Sequence, residues 1–400
     1  MERKVSLRIS VFCVILAVLM TFMATYVGVG ISMSRHTSAS STSYEALDEV
    51  RSYFDKMYVG EYDKDKVDEY VIAGFIAATG DKYAQYYDEE RFASFREDLN
   101  GEMQGIGVSV IYNADYHAIE IIDVFPDSPA MEAGVRPGDL VIYVGKDRES
   151  VSEIGYDAAL KKLQGVAGTT ADFVVVRGDD LSEEIEFSVG RSKIVEQTVT
   201  YRIYSLDKTV GIIKISSFDT GTVKQFKDAV ESLTAQGAKK LVFDVRNNPG
   251  GELNSICSIL DYLLPEGPIV RTIDNAGHED VRSSDAEELD MPMAVLTNSN
   301  TASAAELFSS ALKDYEKATL VGTVTYGKGC MQTIFPLRTG GGLSLTTAMY
   351  YPPFSDNYDG IGVTPHIEVE LSEEAASKNL YKLTDEEDNQ LSAAVEALNK

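Results

Sequence analysis

Between residues 209 and 350 the chain alternates short apolar runs with amphipathic stretches of helical period. That alternation limits the fold more than any other feature of the sequence. Residues 210–216, 241–245, 269–272, 294–297 and 319–324 read as strands, rich in Val, Ile and Leu. Residues 222–234, 253–264 and 302–313 read as helices between them. A strand that returns parallel to its neighbour needs a crossover, and a helix lying on the sheet supplies one. The spacing therefore predicts a mainly parallel sheet with helices on its faces, closed by two further β runs at 331–337 and 343–350.

The flanking regions have other characters, and 400 residues are more than one core usually needs. Residues 101–190 carry short β-type runs at 106–112, 117–124, 140–144, 173–176 and 184–189, separated by Gly, Pro, Asp and Asn, with one helix at 155–163. They read as a small β-rich domain. Residues 44–98 have helical spacing. Tyr44, Leu47, Val50, Phe54 and Tyr58 form one apolar stripe and Val67, Tyr70, Val71 and Phe75 another, with Gly80-Asp81 as a stop. This region reads as a helical packing module without chemistry. The expected organisation is a spanning segment at 1–35, a Ser/Thr-rich tether at 36–43, the helical region at 44–98, the β-rich domain at 99–191 and the α/β core at 192–400. The core's tail, from Thr384, reads as an acidic helix.

Ile9 to Ser34 contain no charged residue, and a helix crosses the hydrocarbon with about 20 residues. Arg3, Lys4 and Arg8 precede the run, which puts the N-terminus in the cytoplasm and the rest of the chain outside. A cleaved signal peptide has a shorter apolar region, about 7–15 residues, and Gly28-Val-Gly30 is a poor cleavage site. An uncleaved single-pass anchor in the cell membrane is the favoured reading. Lys plus Arg less Asp plus Glu is 36 − 63 = −27, of which residues 1–35 carry +3 and the rest −30. Such a surface has no counterions to release from a phosphate backbone, so no nucleic-acid partner is expected. Three cysteines cannot make a disulfide framework, and four histidines leave little room for a metal site; no metal or cofactor is expected.

Two motif matches fail on their context. Gly322 to Lys328 has the G-x-x-x-x-G-K spacing of a phosphate loop, but Gly329 and a β run follow where a Ser or Thr and a helix are required. Ser310-Ala-Leu-Lys313 and Ser205-Leu-Asp-Lys208 match S-x-x-K and Ser355-Asp-Asn357 matches S-D-N, yet no K-T-G follows.

Three other elements carry chemistry better. Ser303 opens the helix after the strand at 294–297, with Asn300 or Thr301 as the expected cap. Its hydroxyl sits among unpaired amides at the positive end of the helix, and the Ala304 amide can hold a developing oxyanion. Serine in that place is ordinarily only a cap. Asp244-Val-Arg-Asn-Asn-Pro-Gly250-Gly251 directly follows a strand, and its glycines permit close backbone approach at the carboxyl end of a sheet, where α/β folds place ligands. In Tyr326-Gly-Lys328-Gly-Cys330-Met-Gln332 an extended strand would put Lys328, Cys330 and Gln332 on one face. A desolvated lysine loses its proton more readily and can take one from a hydroxyl, with Gln332 orienting the amine.

Together these pieces resemble the carboxyl-terminal processing peptidases, the tail-specific Ser/Lys endopeptidases of family S41. The resemblance runs from about Tyr44 to the end of the chain and is most specific at 239–250, 297–306 and 322–332. Thr297-Asn-Ser-Asn-Thr-Ala-Ser303-Ala-Ala-Glu306 matches the family's nucleophile motif and Gly327-Lys328-Gly329 its general-base motif. The resemblance thus implies Ser303 as nucleophile, Lys328 as base and Gln332 as third member. Asn248-Pro-Gly250-Gly251 matches a loop that, with Ala304, implies oxyanion donors at Ala304 and at Gly250 or Gly251. The implied core is an α/β spiral related to the crotonase and Clp-protease folds. The β-rich segment resembles a PDZ domain, inserted before that core. Gly105-Ile106-Gly107-Val108 matches the loop that clasps a carboxyl terminus, and Asp127-Ser-Pro-Ala130 and Ala133 to Asp139 match its turn and helix motifs. Gln164, Cys330 and His366 stand where the family commonly has Arg, Ser and Asp. The resemblance implies a membrane-anchored serine endopeptidase acting on extracytoplasmic proteins with apolar tails, with contacts between copies through its terminal helical segments. The alternative is a catalytically inactive tail-binding module.

Overall fold

The structure, a computed structural model, describes residues 44–99, 102–178 and 182–400. The expected membrane-spanning segment and tether lie outside the described residues. Among the described residues no helix is long and apolar enough to cross a membrane. The chain divides into two compact units between Val71 and Ile72. In the first, the helix Glu45–Met57 buries none of its residues. Its apolar stripe, expected to be a packing face, is exposed, with Val50 at 52% and Tyr58 at 54%. The Tyr62 hydroxyl donates to Asp55 at 2.7 Å, and Lys64 lies 2.9 Å from the same carboxylate. The helix Lys64–Thr79, within which the division falls, also buries no residue.

The second unit is built on a six-stranded sheet in the order Val199–Ile203, Val210–Ile215, Lys240–Asp244, Met293–Thr297, Ala318–Gly322, Ile367–Glu368. The first pair is antiparallel and the rest parallel. Helices Thr222–Ala235, Leu253–Leu263 and Ala304–Asp314 fall between its strands, as the alternation predicts. Both faces are covered, so successive residues of one strand serve different cores. Phe243 packs with Phe218, Phe226 and Phe308 on one side. Its neighbour Val242 packs with Leu296 and Val321, and with Leu391 and Val395 of the helix Asn389–Ala397, on the other.

Three of the expected strands belong elsewhere. Gly267–Asp274, Cys330–Pro336 and Gly342–Tyr351 do not extend or close the parallel sheet; they form a second, antiparallel one with Gln85–Tyr87 and Glu279–Ser284. An apolar run signals a strand but not its partner, which explains the misplacement. Glu279–Ser284 has largely exposed, polar residues and no apolar run to find. The β-rich segment forms a third, antiparallel sheet of Val108–Asn113, Ala118–Val124, Leu140–Val144, Thr170–Arg177 and Glu183–Gly190, to which the short strand Glu149–Ser150 also pairs. Its own core holds Ile119, Val141, Phe173 and Val175.

A buried ion cluster fixes the loop that leaves Lys240–Asp244. Arg246 binds Asp244 through Nε at 2.9 Å and a terminal nitrogen at 2.7 Å, and binds Asp388 at 3.1 and 2.7 Å and Gln390 at 3.0 Å. Burial alone would raise the Asp244 carboxyl, but the Arg246 charge and hydrogen bonds outweigh it and hold it below its ordinary value. Asp388 also caps the helix Asn389–Ala397 through the Leu391 amide at 3.0 Å. Asp388→Ala should therefore lower the unfolding free energy in urea by about 3–5 kcal/mol, the scale for breaking a buried pair. Unfolding indistinguishable from wild type would remove the cluster from the account of this loop.

Candidate active site

The strand Met293–Thr297 runs into a turn and then into the helix Ala304–Asp314. The cap of this helix is Ser303 itself, not Asn300 or Thr301. Thr301 is spent on the neighbouring loop: its hydroxyl donates to the Val245 carbonyl at 2.8 Å. Ser303 has φ +56° and ψ −119°, a left-handed conformation that costs a non-glycine residue about 1–3 kcal/mol. Its backbone is held on both sides. The Ser303 amide donates to Glu306 Oε2 at 2.8 Å, and its carbonyl accepts from the amides of Glu306 and Leu307 at 2.9 and 3.1 Å and from the Tyr358 hydroxyl at 3.4 Å.

Glu306 has no exposed surface. Besides Ser303, its Oε2 accepts the Lys328 amide at 2.8 Å, and its Oε1 accepts the Gly327 amide and the Thr325 hydroxyl, each at 2.6 Å. One carboxylate thus ties the backbone of Ser303 to that of Lys328. Sequence reasoning did not single it out. The signal that finds it is the capping-box spacing Ser303-Ala-Ala-Glu306.

The glycine loop lies against Ser303. A Cβ on Gly250 would stand 2.8 Å from Ser303 Cβ and 2.9 Å from the Ala304 nitrogen, and one on Gly251 would stand 1.9 Å from the Phe218 oxygen. Both have left-handed φ, +110° and +143°. The two glycines differ in their amides. That of Gly250 donates to Asn248 Oδ1 at 2.8 Å. The amides of Gly251 and Ala304 donate to no described residue. Between the two candidates for the second oxyanion donor, Gly251 is therefore the one with an amide to give.

Ser303, Gly250, Gly251, Lys328, Cys330 and Gln332 line one cleft of about 920 Å³. Lys328 lies in the loop before the strand Cys330–Pro336, not in it, and is half-buried. Its Nζ sits 4.8 Å from the centre of the Tyr83 ring, and among the described residues it makes no hydrogen bond to Ser303 Oγ. Gln332 Nε2 donates to Cys330 Sγ and to Thr346 Oγ1, each at 3.3 Å. Burial pushes the Cys330 thiol up and the Tyr83 phenol up to about 12, so both keep their protons at neutral pH. Lys82, Tyr83, Gln85 and Tyr87 also line the cleft. Residues 44–98 are expected to form a helical packing module, and this stretch of them lines the cleft instead of continuing the helices; it is too short and irregular to carry a periodic signal.

In the β-rich unit, Gly105 pairs with Ser192 and Val108 with Val124. The carbonyls of Ile106 and Gly107 accept from Ala130 and Phe125 at 2.9 and 3.0 Å, which pins the loop to the turn at 125–130. A Cβ on Gly107, at φ +85°, would stand 2.3 Å from Ser128 Cβ. The amides of Ile106 and Gly107 donate to no described residue.

A serine held at a strained helix start, with unspent amides around it and an amine in the same cleft, suits acyl transfer through a serine ester. Comparison with known proteins gives this class a family. The profile of peptidase family S41 matches residues 209–369. A carboxy-terminal-processing protease of Bartonella bacilliformis is 31% identical over 345 residues, which span 84% of this chain and 77% of that protein. A CtpA-like serine protease of Staphylococcus aureus is 30% identical over 349 residues, 86% of this chain and 68% of the relative. A solved S41 protease of Bacteroides fragilis shares the fold with a TM-score of 0.54 at 18% identity, covering 80% of this chain and 87% of that one. The chain belongs to peptidase family S41, with the carboxy-terminal-processing proteases among its relatives, and is a serine-type peptidase.

The Glu306 network carries a prediction of its own. Glu306→Gln turns an NH₂ towards one pair of the donors that the carboxylate satisfies. Denaturant unfolding should register a loss of about 1–3 kcal/mol for each buried amide left without an acceptor. A variant as stable as wild type would mean that these donors find other partners.

Proposed function

We propose that this chain is a membrane-anchored endopeptidase that cuts near the carboxyl-terminal tails of extracytoplasmic proteins by a Ser303/Lys328 mechanism assisted by Gln332. Ser303 Oγ attacks the scissile carbonyl carbon while the neutral Lys328 amine takes the hydroxyl proton. The oxyanion of the tetrahedral intermediate is held by the amides of Gly251 and Ala304. Collapse breaks the C–N bond, and the proton on Lys328 passes to the leaving amine. Water then attacks the Ser303 ester, gives its proton to Lys328, and releases the new carboxyl terminus and the serine hydroxyl.

The observation that carries this reading is the pair of uncommitted amides at Gly251 and Ala304 beside a serine whose backbone is locked by Glu306. Donors held in place before reaction cost no reorganisation when charge develops. The β-rich unit serves as a PDZ domain. An apolar tail adds to its sheet edge, and the amides of the Gly105–Val108 loop take the terminal carboxylate. The uncharged run at 9–34, with cations before it, supplies the anchor and places the peptidase outside the cytoplasm.

Purified full-length protein in detergent, mixed with an unstructured polypeptide ending in apolar residues, tests this on a gel. Ser303→Ala and Lys328→Ala should each lower kcat/KM at least about 100-fold, the lower end of what a positioned base contributes. Either variant cleaving at the wild-type rate would overturn the assigned roles. Tail binding without cleavage, and without labelling of Ser303 by a fluorophosphonate, would make the chain a binding module instead.

A further inference from the structure

The supports of the cleft reach outside the parallel core, to the turn that follows the helix Lys64–Thr79. Asp81 Oδ1 accepts from the amides of Tyr83 and Ala84 at 2.9 and 3.2 Å, which is a local turn. The same carboxylate then reaches 265 residues along the chain. Oδ1 accepts from the Thr346 hydroxyl at 3.0 Å and Oδ2 from the Thr346 amide at 3.1 Å. Ending a helix requires no such bonds. Thr346 stands opposite Gln332 in the register of Cys330–Pro336 and Gly342–Tyr351. Its hydroxyl has one proton, and that proton is given to Asp81, so its lone pairs remain for the Gln332 amide at 3.3 Å. The relay therefore has one direction: Gln332 donates to Thr346 and Thr346 donates to Asp81. Two residues on from Asp81, the Tyr83 ring packs beside the Lys328 head, with Nζ 4.8 Å from the ring centre. The strand Gln85–Tyr87 pairs with Gly342–Ser344 and fastens the other end of this strap to the strand that carries Thr346.

We infer that Asp81 is the positioning residue for both groups set beside Ser303: it orients Gln332 through the Thr346 hydroxyl and sets the Tyr83 ring against the Lys328 amine. This rests on the Ser/Lys reading above. It places the completion of the active site in a segment far from the residues 209–369 that the family profile matches. Asp81 touches no reacting atom. Its effect is on the orientation of Gln332 and on where the lysine head rests before it turns to the serine.

Thr346→Val is the sharpest probe, since it keeps the β-branched shape and the backbone bond to Asp81 and removes only the hydroxyl. In full-length protein it should lower kcat about 10-fold or more, the scale of a slight misplacement, with KM within about twofold of wild type. Thr346→Ser restores the hydroxyl and should recover most of the loss. Tyr83→Leu should also reduce kcat, whereas Tyr83→Phe, which keeps the ring, should not. Asp81→Ala should combine both losses, and a thermal melt separates that from misfolding, with Thr346→Val as the milder arm. A Thr346→Val enzyme with wild-type kcat, or a Thr346→Ser enzyme as slow as the valine variant, overturns the relay. Ser303→Ala in the same assay separates the two claims. If it is inactive while Thr346→Val is unimpaired, only the positioning role falls; if it still cleaves, the Ser/Lys reading falls and takes the relay with it.

Discussion

A carboxylate sealed from water holds the two halves of the cleft together. A buried anion is costly unless its oxygens are filled, and Glu306 is filled by three backbone amides and one hydroxyl. Hydrogen bonds to an ionised acceptor are about twice as strong as neutral ones. The carboxylate also sits in the first turn of the helix Ala304–Asp314, where the macrodipole favours negative charge. Backbone dipoles, not a cation, thus answer the charge. The partners are the amides of Ser303, Gly327 and Lys328, so the interaction that stabilises the carboxylate also fixes the spacing between the helix start and the lysine loop.

Strand order explains why these elements meet at all. Lys240–Asp244, Met293–Thr297 and Ala318–Gly322 are consecutive neighbours and run parallel. Their carboxyl ends emerge side by side, and there α/β sheets form their crevices. The first delivers the glycine loop, the second Ser303 and the third the lysine loop. Asparagines stitch the first two: the Asn247 amide donates to Asn298 Oδ1 at 2.9 Å, Asn298 Nδ2 returns a bond to Asn247 Oδ1 at 2.8 Å, and the Ala302 amide donates to the Asn248 carbonyl at 2.9 Å. The Arg246 cluster anchors the same loop from the opposite face of the sheet, through the helix Asn389–Ala397.

What could be read from the sequence was what depends on local signals. The helices at 222–235, 253–263 and 304–314 were expected within two residues at each end because their apolar period is regular and their ends are marked. Ser303, the Asn248–Gly251 loop and Lys328 could be picked out because each follows a strand and carries a turn or cap residue. Partner choice was not legible. Gly267–Asp274 carries a buried apolar pair, Ile269-Val270, of the kind a parallel strand shows, yet it pairs antiparallel with Gly342–Tyr351. Asp81 and Tyr83 could not be found either, because their meaning lies in contacts with Thr346 and Lys328, hundreds of residues away. Glu306 sat in a readable motif, but a capping box explains only one of its four bonds.

The strain at Ser303 and the commitments of the glycine amides belong to one design. A serine in ordinary helical conformation would need no help to stay there. At φ +56° it needs its amide and its carbonyl both held, and the bonds from Glu306, Leu307 and Tyr358 do this. In the capping box its side-chain oxygen faces the Glu306 amide, and the hydroxyl proton stays available. The same economy operates across the cleft. Asn248 takes the Gly250 amide, which stiffens the turn, and with Gly251 packed against the Phe218 carbonyl the next amide has a fixed place and no partner among the described residues. Rigid neighbours with saturated bonds are what hold the amides of Gly251 and Ala304 in place with no partner among the described residues.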